Sequence, residues 1–513
     1  MVRFLTSVLL LSSCAVAFAT DWYVRPSTGE YGAEDGTSYA TAFDGFADHN
    51  AACASIADGD TVKIDGTYLG EQLIPCPGSA AGHVTYTYYD SANPPVLDGN
   101  GTATAVILSN NLDYWKLVGP LTAQNVAGPA INIFGGSSDI VIDNVTCTDT
   151  APVTSGCIRG RDMVNFEVKN SLLTNNDGNG LAADIGGGAG GGRNISFHDN
   201  IAYGNTYRGI SVTGAIPTGD IYYDVAVYNN ETYTNGDGIY LAAVDGFEVY
   251  NNVSYDNEET TYAPAEQYGI AFQQCRNGKI YLNTTYGNHS DGVEVWGDAN
   301  GPAKNVWAFA NIFYAHVTGL ITSSTGNGLE YATQYSPGAR IFGNVFIGNN
   351  HAFRFSKDST NTSLFYNNTL VDNTYGLTLA DSGGFALSGW TFSNNIISGG
   401  EWIKGARNDN TLVFSSNNYY NGTASYNQVA YTTANITSLD ALAKILDPDF
   451  VGATPLDKYS WQHQESGLYD TGVNIPYIMD AFANSCLGAQ DFGAYCNGMR
   501  IPYGYTLKPK RRR

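Results

Sequence analysis

The chain has 513 residues, with 25 Lys+Arg against 48 Asp+Glu, a formal net charge of −23 and a pI near 4.5. Such a body repels phosphate backbones, which excludes nucleic-acid binding. Charged residues make up 14% and hydrophobic residues 43%, which excludes coiled coils and acidic disordered chains, both far richer in charge.

The elements follow in chain order. Met1–Arg3 is short and positive, Leu5–Val16 is apolar, and Ala17-Phe18-Ala19 supplies a small-x-small cleavage pattern. Residues 1–19 therefore read as a signal peptide. No later run reaches the ~18 apolar residues of a membrane span. The expectation is a secreted, extracellular monomer. Of eight cysteines, Cys14 lies in the leader. The pairs Cys53–Cys76, Cys147–Cys157 and Cys486–Cys496 are close enough to bond in an oxidising compartment, leaving Cys275 as a buried odd thiol. Asn-x-Ser/Thr sequons begin at Asn100, Asn144, Asn194, Asn230, Asn252, Asn283, Asn288, Asn361, Asn367, Asn421 and Asn435.

An imperfect repeat fills the middle of the chain. Each unit has a short alternating strand ending in Asn, a second short strand, a polar turn, then Gly and another alternating strand. Val225–Asn229 leads to Asp237-Gly-Ile-Tyr-Leu241; Lys279–Asn283 leads to Asp291-Gly-Val-Glu-Val295. The recurring Asn stand at 170, 200, 229, 251, 283, 311, 344, 367, 394 and 417, spaced by 22–33 residues. That period suits one turn of a parallel β-helix, in which each turn buries its apolar side chains against its neighbours. Adjacent strands lie ~4.8 Å apart, so such turns make a rod of roughly 45–50 Å. The Asn read as scaffold, because Asn tolerates the left-handed backbone of a corner.

The ends carry a resemblance. Trp22–Gly29, Asp35–Phe43 and Gly59–Tyr68 are similar to the opening turns of secreted right-handed parallel β-helix proteins of the pectate-lyase-like superfamily. Asp447-Pro-Asp-Phe450, Tyr469–Gly472 and Asp491–Tyr495 are similar to the closing segment. The resemblance implies an all-β, single-stranded right-handed solenoid of about ten or more rungs. Residues 20–130 would form the N-terminal cap and first turns, 131–445 the central β-helix, 446–505 the closing segment and 506–513 a basic tail. The superfamily holds lyases, epimerases, hydrolases and non-catalytic surface proteins. Ser290-Asp-Gly-Val-Glu294 is similar to the calcium-site rung of family-nine pectate lyases. Those enzymes carry a base, usually Lys, on a following rung. Thr318–Thr322 and Ala352–Ser356 read as the equivalent strands, and Arg354 and Lys357 come nearest to that base.

Alternation sends Ile210, Val212, Ile239, Leu241, Ile270, Phe272, Val293, Val295, Phe353 and Phe355 inward. It leaves an outer column of Asp184, Arg208, Ser211, Thr213, Asp237, Tyr240, Tyr268, Gln273, Asp291, Glu294, Trp296, Arg354 and Lys357, with His289 and His316 nearby. A lyase acting on uronic acids must neutralise a carboxylate and then remove the adjacent proton. Ca²⁺ held by Asp237, Glu266, Asp291 and Glu294 suits the first task. Arg208, Tyr240, Arg354 and Lys357 are the catalytic candidates. Gln273, Trp296 and Tyr268 are placed to bind sugar rings. The expected function is calcium-assisted β-elimination on an acidic polysaccharide. The alternatives are a hydrolase pairing Asp291 with Asp237 or Glu294 and a non-catalytic glycan-binding matrix protein. The bland reading keeps Asp237 and Asp291 as corner residues, with Arg208 paired to Asp237.

Overall fold

Alternation of apolar and polar residues over runs of three to seven makes strands, and the Asn-containing corners stack them. The computed structural model describes residues 19–450 except 28, 152–155, 187–190, 215–219, 259–266, 298–300, 302, 317–326, 334–337, 356–362, 380–387 and 406–410, and Leu468 beyond them. The leader, the Cys486–Cys496 pair, the basic tail and most of the closing segment lie outside these residues.

One central turn runs through strands Asp237–Ala242, Val244–Tyr250 and Val253–Tyr255; the next through Ile270–Gln273, Arg276–Tyr281 and Thr284–Tyr286. Each strand pairs in parallel with its counterpart one turn on, Leu241 with Phe272, Val249 with Ile280 and Ser254 with Thr285. The fold is a right-handed parallel β-helix. One flank is a sheet of 14 strands; the other two flanks merge into 28 strands, because Trp115–Val126 and Ser138–Thr150 run straight through a corner. All the apolar residues expected to face inward are buried. A helix, Gly45–Ala52, covers the first turn, with Phe46 stacked on Tyr68 at 4.1 Å. An antiparallel hairpin, Thr423–Tyr426 with Val429–Tyr431, closes the 14-stranded sheet. Disulfides join Cys53 to Cys76 and Cys147 to Cys157, and Cys275 is a buried free thiol.

The corner between the second and third strands is two residues long in every central turn, as at Asn251-Asn252 and Leu282-Asn283. Its first residue is left-handed, with φ of 54° at Asn251 and 58° at Leu282. Its second is a buried Asn from Asn200 onward, with a buried Ser171 at the corner before. Asn252 donates its backbone N–H and its Nδ2 to Oδ1 of Asn283, at 3.1 and 3.0 Å. Asn283 repeats the pattern onto Asn311, and its Nδ2 also donates to the Val249 carbonyl at 2.9 Å. The ladder runs from Asn200 through Asn230, Asn252, Asn283, Asn311, Asn344, Asn368 and Asn395 to Asn417. Asp440 caps it, accepting from Asn417 at 2.9 Å. The recurring Asn therefore divide between two roles. Asn170, Asn229, Asn251, Asn367 and Asn394 are left-handed as expected, whereas Asn200, Asn283, Asn311, Asn344 and Asn417 are ladder residues at the second corner position. Both corner positions suit Asn, so spacing alone confuses them. Four sequons, at Asn230, Asn252, Asn283 and Asn288, are consumed by ladders, whereas Asn100, Asn144, Asn194, Asn421 and Asn435 are exposed.

A second ladder joins Asn176, Asn205, Asn235, Asn257 and Asn288. His316 takes the next place and donates its N–H to Asn349 at 3.1 Å. His316 is therefore interior, not on the outer face as expected. Burial pushes its pKa down to about 3.

Two outcomes follow. Asn283→Ala strands buried donors of Asn252, at on the order of 1–3 kcal/mol each, and lowers the urea midpoint clearly; Asn251→Ala, exposed, costs about 1 kcal/mol. A neutral buried His stabilises fully above its unfolded pKa near 6.5, and that contribution is lost as pH falls toward about 3. His316→Asn should thus flatten the decline of the thermal midpoint over that window, compared with wild type in matched buffers.

Candidate functional site

The outer face of the 14-stranded sheet carries three columns of side chains. The leading column is Arg208, Asp237, Tyr268, Asp291, Asn327, His351, Tyr375 and Glu401, following the pairings Arg208 with Asp237 and Asn327 with His351, with Tyr375 paired to Glu401. The middle column is Ser211, Tyr240, Ala271, Glu294, Glu330, Arg354, Thr378 and Lys404. The trailing column includes Asp184, Thr213, Gln273 and Trp296. Asp184 is held by two guanidiniums, Arg159 at 2.7 Å and Arg161 at 3.3 Å.

The columns begin at strand starts where Gly recurs for lack of room. A Cβ at Gly292 would lie 2.6 Å from the Gly328 carbonyl oxygen. The strand after Val293–Gly297 is Asn327–Thr333, pairing Glu294 with Glu330. The expected equivalent, Thr318–Thr322, lies outside the described residues. Glu330 is thus a site residue absent from the expected column, although Asn327-Gly-Leu-Glu330 repeats the motif Asp291-Gly-Val-Glu294. Glu266 and Lys357 also lie outside the described residues.

A cleft of about 430 Å³ opens over Tyr207, Arg208, Asp237, Tyr240, Tyr268, Gln273, Glu294 and Trp296. The candidates Arg208, Tyr240, Tyr268, Gln273 and Trp296 thus share one depression. Arg208 lies 3.3 Å above the Tyr240 ring centroid and donates from Nε to Asp237 Oδ2 at 3.2 Å. Asp237 is buried, and its other oxygen accepts from the backbone N–H of Gln267 at 2.9 Å and Tyr268 at 3.2 Å. Burial raises its pKa, opposed mainly by Arg208. Tyr240 donates to Gln273, and burial keeps its phenol protonated.

A second group continues along the same face, beginning beside Glu294 with Asp291 and, one strand on, Glu330. Asp291 is buried and accepts from Asn327 N–H at 2.9 Å. Burial first and the Glu330 charge second raise its pKa well above the carboxylate range. Glu330 accepts from Asn327 Nδ2 at 2.6 Å and from Arg354 at 3.0 Å. His351 Nδ1 lies 2.6 Å from Thr378 Oγ1. Its ring stacks on Tyr375 at 4.8 Å, and Lys404 Nζ sits 3.6 Å from the Tyr375 ring centroid. Burial, then Arg354 and Lys404, bring the His351 pKa down to about 4. His351, Tyr375 and Lys404 escaped notice because no motif marks them; only the register unites them with Arg354.

The expected calcium donors are not gathered. Asp237 is engaged by Arg208 and two backbone amides, and among the described residues Asp237, Asp291 and Glu294 do not bring ligand atoms within 4.8 Å of one another. As placed they do not fit a calcium cage.

A substitution separates support from chemistry at Arg208. Arg208→Met leaves Asp237 as a buried unpaired carboxylate, costing about 3–5 kcal/mol by chemical denaturation, and adding Asp237→Asn should recover most of that loss. An Arg208→Met protein of unaltered stability would instead place Arg208 in the chemistry.

The family described as "Periplasmic copper-binding protein (NosD)" matches residues 138–362. No curated protein sequence matches the chain. Among solved structures, the A-module of the mannuronan C-5 epimerase AlgE4 of Azotobacter vinelandii is 16% identical, over 74% of this chain and 94% of that one, with a TM-score of 0.41. The PL6 family alginate lyase AlyGC is 11% identical, over 87% of this chain and 57% of that one, at 0.49. The pectate lyase Pel9A is 14% identical, over 94% and 97%, at 0.39. With the parallel register of its three flanks, the chain is a right-handed parallel β-helix protein.

Proposed function

We propose that the protein is an exported polysaccharide lyase that cleaves a uronic-acid-containing chain by β-elimination. The observation that carries this reading is His351, largely buried at the outer face of the sheet beside Arg354 and Lys404, with its pKa brought down to about 4. With Nδ1 donating to Thr378, the lone pair rests on Nε2. Arg354 and Lys404 hold the uronate carboxylate, which makes the neighbouring C5 proton more acidic. The same carboxylate offsets the two charges that depress His351, so substrate binding strengthens the base. His351 takes the C5 proton, the electron pair forms the C4–C5 double bond, and the departing O4 takes a proton from the Tyr375 hydroxyl. Trp296, Tyr268 and Gln273 bind the adjoining sugars in the cleft. The two disulfides support export to an oxidising compartment. Among the described residues, no helix is long and apolar enough to cross a membrane.

A second reading has one observation behind it. Asp291, kept protonated beside Glu330, is the acid-and-carboxylate arrangement of a glycoside hydrolase. Its deep burial and its bond from Asn327 disfavour contact with a sugar. The copper in the matched family's description finds no comparable support. The one gathered trio among the described residues, His49, Cys53 and Cys76, has both sulfurs in a disulfide.

The purified protein, incubated with alginate, pectate and glycosaminoglycans, with calcium or with a chelator, should release products with unsaturated ends absorbing in the ultraviolet. His351→Ala should reduce that rate about 10²–10⁴-fold in protein whose circular dichroism shows it still folded at the assay temperature. The rate should fall as pH drops toward about 4, where His351 takes up its proton. Reducing ends without unsaturation would favour the Asp291–Glu330 hydrolase; no product from any uronate polymer would sink both.

A further inference from the structure

The few cations of the acidic chain are unevenly placed. Between residues 200 and 350 the Lys and Arg are Arg208, Arg276, Lys279, Lys304 and Arg340. All but Arg208 stand on the outer face of another flank, on strands Arg276–Tyr281, Lys304–Phe309 and Arg340–Phe342. The register lines them up in two columns. One runs Asp245, Arg276, Lys304; the other runs Glu248, Lys279, Trp307, Arg340, Leu364.

The first two cations are neutralised by the turn before. Arg276 pairs with Asp245 at 2.9 Å and Lys279 with Glu248 at 2.9 Å. Among the described residues no carboxylate pairs with Lys304 or Arg340. Arg340 instead lies 4.7 Å from the Trp307 ring centroid. Lys304 stands in register beside Arg276, a like-charge contact that an anion would relieve. A cleft of about 550 Å³ opens here, lined by Asn277, Lys279, Asn305, Trp307, Arg340 and Leu364. Its edge is built by side-chain bonds. Asn305 donates to Asn277 at 2.9 Å, and Asn277 donates to Asp245 at 2.7 Å.

The geometry points to a second, non-catalytic glycan site on this face, in which Lys304 and Arg340 hold carboxylate or sulfate groups of an acidic polysaccharide and the Trp307 edge and Leu364 pack against a sugar. A saccharide fits better than a nucleic acid, because two uncompensated cations on a body of net charge −23 make no phosphate-tracking surface. Such a site answers the repulsion between an acidic protein and an anionic polymer: it supplies a local cationic foothold away from the reaction. The inference concerns binding and stands whether or not the sheet face of His351 is a lyase site.

Affinity electrophoresis of the full chain through gels holding a polyuronate, a sulfated glycosaminoglycan or a neutral glucan tests it. Wild type should be retarded by at least one acidic polymer, less so at high salt. Lys304→Glu/Arg340→Glu should weaken that retardation about tenfold, and Trp307→Ala should weaken it independently. In the double variant the unfolding midpoint and any turnover of short oligosaccharides should be unchanged. His351→Ala should be retarded like wild type, which separates this site from the proposed lyase site. Loss on the polyuronate alone assigns a carboxylate ligand, and loss on both acidic polymers assigns anions generally. Equal retardation of wild type and the double variant, no retardation by either acidic polymer, or equal retardation by neutral glucan would overturn the proposal.

Discussion

Every turn of this chain must bend its backbone through a tight corner, and at that corner the regular ladder of peptide hydrogen bonds is interrupted. Buried amides without acceptors are costly. The stacked Asn side chains resolve the interruption: each Oδ1 accepts from the backbone and side-chain N–H of the turn before, as Asn283 does for Asn252. The rest of the rod depends on this device. It holds consecutive turns at one spacing, and that spacing carries the in-register columns on all three flanks. Flat stacks of rings follow from it, such as His198, Tyr228, Tyr250, Tyr281 and Phe309 with centroids 4.6–5.0 Å apart.

The same register builds the candidate site. Neither Arg354 nor Lys404 is remarkable on its own strand. With Thr378 between them they form one line beside His351, and burial first, then the charges of that line, keep the imidazole neutral. Four and five strands back along the sheet, Asp237 and Arg208 are matched so closely that their charges are spent on each other. One sheet face therefore holds a self-satisfied ion pair at one end and incompletely compensated cationic character at the other. The chemistry is better suited to the second.

Much of this was legible in the sequence, because alternation and corner residues are local signals. The inward positions from Ile210 to Phe355 and the shared outer face of Tyr240, Trp296 and Arg354 follow from a period of two. What escaped was information held between turns. Asn229 and Asn230 look alike in the chain, yet one turns the corner and the other bonds across it. His316 fills an Asn place in a ladder, which no pattern of residue types announces. Glu330 belongs beside Glu294 only once the pairing of Val293–Gly297 with Asn327–Thr333 is known. Lys404 required following the column beyond the strand of Arg354.

The two-residue Asn corner has a further consequence. It is the same length in turn after turn, whereas the connections on either side of the 14-stranded sheet vary widely. The link from Tyr233 to Asp237 is short, and that from Tyr255 to Ile270 is long; a single residue separates Ala242 from Val244. Insertions and deletions are thus admitted at two edges of the rod and refused at the third. Both permissive edges are the banks of the same cleft. The scaffold can change the walls around a bound chain without disturbing a hydrogen bond that keeps the rod wound, and variation in length becomes variation in what the groove admits.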